Sequence, residues 1–257
     1  MRELRVDAFS KLTLSLHITG TRADGFHELD ATMVSIDEPH DSLVLTPATR
    51  TSLTITGPFA EGVPADASNL AWRAADACRT TLEMELHKGI PSGAGLGGGS
   101  ADAAAVLVAL RADPRLAPPL GADVPFCMRG GFARVRGIGD ELEPGDPPAL
   151  AIVVATPRFR CSTAAVYRAW DELGGPHHEI NDLQAAAEHV EPRLVEFKRR
   201  VEAAAGAPAI LAGSGSSYAV VFESVVDAER VRARVAAAVS GSVWLASTSS
   251  AGVVLHP

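Results

Sequence analysis

Alternating apolar and polar residues dominate the start of the chain. From Val6 to Thr19 most apolar side chains lie at even positions (Val6, Ala8, Leu12, Leu14, Leu16 and Ile18), whereas Lys11, Thr13, Ser15 and His17 lie at odd ones. This period of two predicts a half-buried strand. Lys11 and Thr13 fall side by side on its polar face. A turn follows from Thr19 to Gly25, which is rich in glycine and polar residues. The first strand therefore presents an amine and a hydroxyl together.

Later patterns predict a mixture of strands and helices. Ser68 and Ser100 are the expected N-caps of two helices, and Asp102 would suit the dipole in the first turn of the second. Because strands and helices do not alternate strictly, the pattern favours an α+β fold over a doubly wound sheet. Further strands are predicted over 41–56, 82–87, 149–155, 218–223, 243–245 and 253–255, and helices over 67–81, 100–110, 163–173, 182–205 and 227–239, with another helix start at Pro125.

Composition narrows the class of protein. The chain has 257 residues and a formal net charge of −8 with 5% aromatic residues, which argues against a nucleic-acid partner. Its three cysteines show no C-x-x-C spacing, so we expect reduced thiols and neither a disulfide framework nor a zinc site. No signal-like segment opens the chain, and no apolar run is long enough to span a membrane. We therefore expect a cytoplasmic protein without a membrane partner.

A glycine-rich run carries the first functional signal. Five of the seven residues from Gly93 to Gly99 are glycine, and a predicted helix follows at Ser100. A loop without side chains that opens a helix N-terminus is suited to binding phosphate. No Lys-Ser or Lys-Thr pair follows the glycines, which argues against a Walker loop. A dinucleotide pattern is present, but the strand that should follow its helix is missing.

Several segments, in this order, resemble one family. They are Lys11–Leu14 with Thr19–His27, Pro91–Ser100, Leu120–Phe126 and Gly213–Gly215. Together they resemble the motifs of the GHMP small-molecule kinases. The resemblance implies a two-domain α+β architecture, with an N-terminal ribosomal-protein-S5-like domain over residues 1–147 and a C-terminal ferredoxin-like domain over residues 148–257. A composition shift over Glu143–Pro148 agrees with that boundary.

The resemblance also implies a reaction. It is strongest to family members that transfer phosphate from ATP to the 2-hydroxyl of 4-diphosphocytidyl-2-C-methyl-D-erythritol, in isoprenoid precursor synthesis. Asp123 would be the catalytic base and Lys11 its partner. Phosphoryl transfer depends mainly on positioning and charge neutralisation, so such a pair beside a phosphate loop is sufficient in principle. Lys11 should also favour the ionised carboxylate of Asp123.

The remaining site residues follow from the same resemblance. Thr13, Phe26 and His27 would bind the acceptor, with Phe26 and His27 at the cytosine ring. Mg²⁺ is expected mainly on the ATP phosphates, with Ser100 as a weak protein ligand. The chain is expected to be a monomer or a homodimer. The residues implied to bind ATP are Pro91, Ser92, Gly93, Ala94, Gly95, Leu96, Gly97, Gly98, Gly99, Ser100 and Ala101.

Some features depart from the family and leave alternatives open. Thr13 stands where the family usually has Asn, and the connections before Leu82 and from Arg111 to Leu120 are short. These departures are compatible with a related kinase for another polyol or amino alcohol, or with a catalytically weak nucleotide-binding paralogue. A dinucleotide oxidoreductase ranks last. Taken alone, Lys11 and Asp123 would form an ordinary structural salt bridge.

Overall fold

The structure is a computed structural model that describes residues 2–256. The predicted mixture of strands and helices is present throughout this range. The strands are β1 Leu4–Thr21, β2 His27–Pro47, β3 Ser52–Thr56, β4 Leu82–His87, β5 Phe132–Gly137, β6 Glu141–Gly145, β7 Ala151–Pro157, β8 Ile210–Leu211, β9 Tyr218–Phe222, β10 Gly241–Ser249 and β11 Val253–His256. The helices are α1 Leu70–Ala77, α2 Gly98–Ala109, α3 Val124–Arg129, α4 Thr163–Glu172, α5 Gln184–Val190, α6 Arg193–Ala205 and α7 Val225–Ala238.

The strands form one extended mixed sheet. Its main path runs β11-β1-β2-β10-β7-β9-β8. Strands β4 and β5 also pair with β2, and they pair in turn with β3 and β6, respectively. The long antiparallel pair β1–β2 organises the N-terminal half, whereas β7 and β9 organise the C-terminal half. Strand β10 connects the halves, since it pairs with β7 along its length and with β2 only at Thr248 and Ser249. This architecture confirms the α+β fold class.

The core lies in two clusters that meet near the sheet junction. One cluster packs α1 and α2 mainly on the N-terminal strands. The other packs α4 to α7 on the C-terminal strands and also includes residues of β1, β2 and β5. Helix α2 is buried along nearly its whole length, from Ala101 to Ala109. A helix that is apolar on all sides must be enclosed by other elements. The N-terminal end of α2, next to the glycine-rich loop, lines a large cleft.

Several predicted boundaries were wrong. The long strand β2 begins at His27, in a stretch to which the pattern assigned no element, and the predicted strand over 41–56 is divided between β2 and β3. The predicted helix over 182–205 is two helices, because the chain breaks at Glu191 and Pro192. Strands β5 and β6 were missed. The predicted seam covers Glu143–Pro148. Its first three residues lie inside β6, and its last three belong to the irregular chain over 146–150. A boundary at 147/148 stays a prediction.

The N-cap predictions also need correction. Asn69 caps α1 by accepting from the N–H of Ala71, while the Ser68 hydroxyl donates to Asp66. Helix α2 begins at Gly98, with Gly97 as its N-cap in the left-handed region at φ 73°. Ser100 is therefore the third residue of the helix. No described helix has the length and apolar character needed to cross a membrane.

Candidate active site

A cleft of about 860 Å³ opens where the two core clusters meet. Its walls come from distant parts of the chain that the fold brings together. The N-terminal half contributes β1, the turn before β2 and the glycine-rich loop, and the C-terminal half contributes one face of α4. The segments that line the cleft include 25–27, 90–100, 122–123, 138–139, 163–164, 167–168 and 213–214, with Lys11 and Lys88 at single positions.

Lys11 and Asp123 meet inside this cleft. The Lys11 Nζ lies 3.3 Å from Asp123 Oδ2, and it donates a hydrogen bond of 3.2 Å to Thr13 Oγ1. The lysine side chain is 7% exposed, and the aspartate side chain is 30% exposed. Alternation along β1 places Lys11 and Thr13 on the same face, and the N-cap position of α3 brings Asp123 against them. The carboxylate thus keeps one open side toward the cleft.

The N-terminus of α2 is a second feature of the cleft. The N–H groups of Gly98, Gly99 and Ser100 lie in the first turn and have no intrahelical acceptor, and Gly97 offers no side chain to cap them. These donors line the cleft and carry the positive end of the helix dipole. Lys11 N donates to the carbonyl oxygen of Leu96, which holds the loop directly on β1. The arrangement is suited to an anionic group such as a phosphate.

Two glycines of this loop lie so close to neighbouring protein atoms that a Cβ would clash with them. A Cβ at Gly95 would lie 1.9 Å from the carbonyl oxygen of Ala212, and a Cβ at Gly97 would lie 2.7 Å from Lys11 Cγ. These two glycines are therefore needed for close packing within the protein, in addition to any role in ligand access. Glycine at positions 95 and 97 lets the segment after β8 and strand β1 approach the loop.

That segment contains the third glycine motif. Gly213 lies beside the first motif, since a Cβ there would be 3.4 Å from Lys11 Nζ and 3.7 Å from Thr13 Oγ1. The buried Asn181 holds the motif in place, because its amide donates to the carbonyl oxygens of Leu211 and Gly213 at 2.9 and 2.8 Å. Sequence reasoning missed Asn181, which lies 32 residues before Gly213.

The other end of the cleft is aromatic. His27 is 7% exposed, and its Nε2 lies 2.8 Å from Asp171 Oδ1 of α4. The imidazole packs against Tyr167 at 5.1 Å and meets Trp170 edge-on at 5.4 Å between ring centroids. Burial, followed by the charge of Asp123, raises the pKa of Tyr167. Phe26 is 58% exposed and lines the mouth of the cleft.

A buried ionic cluster supports the base of the cleft. Lys88 Nζ donates to Asp41 and, at 2.7 Å, to Asp102. Burial raises the pKa of Asp102 well above its usual range despite the nearby ammonium. Burial would lower the pKa of Lys88, but the two carboxylates outweigh it and raise that pKa. Asp102 is therefore bound to Lys88 under the loop, and its expected place in the first helical turn was wrong.

Most of the predicted site residues come together around the cleft. Lys11, Phe26, His27, Asp123 and every residue from Pro91 to Ser100 line it. Thr13 reaches it only through Lys11, and Ala101 is buried in the core. Sequence reasoning missed Lys88 and the contribution of α4. The spacing of Thr163, Tyr167 and Asp171, four residues apart on a predicted helix, was the available signal.

Comparison with known proteins places the chain among kinases. The family described as the GHMP kinases N terminal domain matches residues 69–113, which include the glycine-rich loop and most of α2. A 4-diphosphocytidyl-2-C-methyl-D-erythritol kinase from Paracoccus denitrificans is 37% identical over 96% of this chain and 97% of its own. The chain belongs to the 4-diphosphocytidyl-2-C-methyl-D-erythritol kinase family of GHMP kinases.

Further relatives of this family agree. The corresponding kinase of Jannaschia sp. is 38% identical over 85% of this chain and 88% of its own. A crystal structure of a 4-(cytidine 5'-diphospho)-2C-methyl-D-erythritol kinase has a TM-score of 0.78 at 33% identity, covering 95% of this chain and 99% of that one. A homoserine kinase from Cytophaga hutchinsonii, with a TM-score of 0.68 at 18% identity, shares the fold. The predicted family and fold are thus confirmed.

Proposed function

We propose that this protein transfers the γ-phosphoryl group of ATP to the 2-hydroxyl of 4-diphosphocytidyl-2-C-methyl-D-erythritol. The family relationship supports a phosphotransferase that acts on a hydroxyl group, with ATP as the donor. The observation that carries the proposal is the meeting of Lys11 and Asp123 beside the N-terminus of α2 in one cleft. A carboxylate, an ammonium and a phosphate-binding helix end are the groups that this transfer needs.

Asp123 is the base in this proposal, and Lys11 stabilises charge. The carboxylate accepts the proton of the acceptor hydroxyl as that oxygen attacks the γ-phosphorus and the bond to the β-phosphate oxygen breaks. The Lys11 ammonium lies 3.3 Å from the carboxylate, so it can stabilise negative charge at the attacking oxygen. Thr13 accepts from Lys11 and fixes the direction of the ammonium.

The ATP phosphates bind at the glycine-rich loop. The free N–H groups of Gly98, Gly99 and Ser100 stabilise negative charge that develops during transfer. We expect Mg²⁺ to bind largely to the ATP phosphates. Ser100 and Asp123 line the cleft and would be side-chain ligands for it. When bound, Mg²⁺ neutralises phosphate charge.

The cytosine ring of the acceptor binds at the aromatic end of the cleft. Tyr167 and Phe26 offer ring faces, and His27 offers a hydrogen-bonding edge. Asp171 orients the imidazole of His27. This division of the cleft gives donor and acceptor separate ends, with Lys11 and Asp123 where the two substrates meet.

The test measures ADP release with Mg-ATP and 4-diphosphocytidyl-2-C-methyl-D-erythritol. We expect turnover by the unmodified protein and a loss of at least about a hundredfold in kcat for Asp123→Asn, because the base is removed. ATP affinity, measured by calorimetry, should stay within about twofold, since the loop is intact. Asp227→Asn, on exposed α7, is the control.

Two results would reject this assignment. Near-normal turnover by Asp123→Asn would remove Asp123 as the base. ATP binding without turnover of this acceptor by the unmodified protein would favour another alcohol acceptor or a non-catalytic nucleotide-binding protein, and a panel of polyols and amino alcohols would then separate those two.

A further inference from the structure

Arg168 is a cation of the cleft whose charge has no partner among the residues that the structure describes. It lies on α4, is exposed to solvent and lines the cleft. Among residues 2–256, its guanidinium forms neither a salt bridge nor a side-chain hydrogen bond, whereas Lys11 is paired with Asp123 and Lys88 with two carboxylates. An unpaired arginine in a concave site is available for an anionic ligand.

The position of Arg168 along the cleft is informative. Helix α4 begins near the phosphate end, where the Thr163 hydroxyl lies 2.9 Å from the Ser214 hydroxyl of the third glycine motif. It reaches the aromatic end at Asp171, which contacts His27. Eight residues of helix separate these points, a rise of roughly 12 Å. Arg168 lies between them on the same face of the helix.

We propose that Arg168 binds the diphosphate of the nucleoside-diphosphate acceptor and makes the enzyme selective for acceptors that carry it. This inference rests on the proposed function. In such an acceptor the diphosphate joins the nucleoside to the sugar alcohol. A molecule with its base at His27 and its hydroxyl at Asp123 must therefore place the diphosphate along the intervening part of α4.

The chemistry of the side chain fits this role. A guanidinium presents a planar set of N–H donors that can bind two phosphate oxygens at once. Lys88 cannot take the same role, because its ammonium is committed to Asp41 and Asp102 beneath the loop. Lys11 is paired with Asp123 at the proposed site of phosphoryl transfer. Arg168 thus discriminates between acceptors that carry a diphosphate and uncharged alcohols of similar size.

Steady-state kinetics with Arg168→Gln tests the role in catalysis. We expect the KM for 4-diphosphocytidyl-2-C-methyl-D-erythritol to rise roughly tenfold or more, because a charge-assisted contact is lost. The KM for ATP and the thermal midpoint Tm should not change. Arg168→Lys should recover part of the loss. Arg230→Gln, which removes an exposed arginine from α7, is the matched control for net charge. An unchanged acceptor KM in Arg168→Gln would overturn the proposal.

A binding experiment separates this proposal from the proposed function. Calorimetry with CDP and with cytidine, while a non-hydrolysable ATP analogue fills the ATP end, reports the contribution of the diphosphate without turnover. The unmodified protein should bind CDP at least about tenfold more tightly than cytidine, and Arg168→Gln should lose most of that preference. If the unmodified protein and Arg168→Gln prefer CDP over cytidine by the same factor, the role of Arg168 is overturned, even if the kinase reaction itself is observed. Failure of the kinase reaction alone would reject only the acceptor's identity.

Discussion

At the scale of single residues, Gly97 and Lys11 depend on each other. Gly97 adopts φ 73°, and a Cβ added there would lie 2.7 Å from the Cγ of Lys11. The same glycine leaves the N-terminus of α2 uncapped by a side chain. One glycine therefore allows both the left-handed turn of the loop and the buried course of the lysine stem. A change at Gly97 should move the ammonium as well as the phosphate-binding N–H groups.

Gly97→Ala should lower turnover by more than the strain of the left-handed backbone conformation alone would. The new methyl group displaces the Lys11 stem, so we expect kcat/KM to fall at least about tenfold. The control is Gly206→Ala at the end of α6, where φ is 71° and nothing lies within 4 Å of an added Cβ. Both variants should lose about 1–2 kcal/mol of unfolding free energy from the left-handed conformation. Equal kcat/KM in the two variants would reject the coupling of Gly97 to Lys11.

At the scale of elements, a short connection supports the third glycine motif. The segment between α4 and α5 runs beside β1, where Leu16 N donates to the carbonyl oxygen of Ile180 and Asp182 N donates to that of Leu16. Asn181, between them, donates to the carbonyl oxygens of Leu211 and Gly213. The connection therefore fixes the motif relative to the strand that carries Lys11.

Asn181→Ala should loosen that motif. Two buried carbonyl groups lose their donor, which costs about 1–3 kcal/mol of unfolding free energy. Because the motif packs on Gly95 and Lys11, we also expect the KM for ATP to rise several-fold and kcat to fall. Val201→Ala, a buried position of α6, should cost a comparable amount of stability without these kinetic changes. If the two variants have the same kinetic constants, Asn181 has only a structural role.

At the scale of the whole molecule, Asp182 joins the two halves of the chain. Its carboxylate accepts from the backbone N–H of Ile18 in β1 and from that of His178. The imidazoles of His17 and His177 also lie within 3.5 and 3.1 Å of it. Burial alone would raise the pKa of Asp182, but these hydrogen bonds and the nearby His17 lower it overall. The docking of the C-terminal half on β1 thus depends on an ionised carboxylate.

Stability should therefore fall in acid. The folded protein has the lower pKa at Asp182, so the unfolded chain binds the proton more readily, and the contribution is fully present only well above the unfolded value of about 3.9. This contribution is lost progressively as pH falls below about 5 and through the lower folded pKa, so the free energy of unfolding should decrease more steeply in the unmodified protein than in Asp182→Asn. Urea denaturation at several pH values measures this slope. Parallel slopes would show that another group controls the acid transition.

Part of this description was accessible from local pattern. Alternation predicted β1 and the shared face of Lys11 and Thr13, and the glycine content of the loop predicted a phosphate site at a helix start. The ordered motifs predicted the kinase family. These features depend on residues close together in the chain, where the periods of strand and helix and the conformational freedom of glycine act directly. Such features can be predicted from neighbouring residues without the tertiary structure.

Tertiary structure alone decided the rest of the site. Asn181 and Gly213 lie 32 residues apart, Lys88 and Asp41 lie 47 apart, and His27 and Asp171 lie 144 apart. No local period relates such pairs, because their contacts exist only after the sheet has joined both halves of the chain. The protein atoms that pack against the loop glycines, and the position of Arg168 in the cleft, likewise depend on segments that are far apart in the chain. The sequence by itself determined which chemistry the chain carries; packing of the two halves decided which side chains face one another across the cleft.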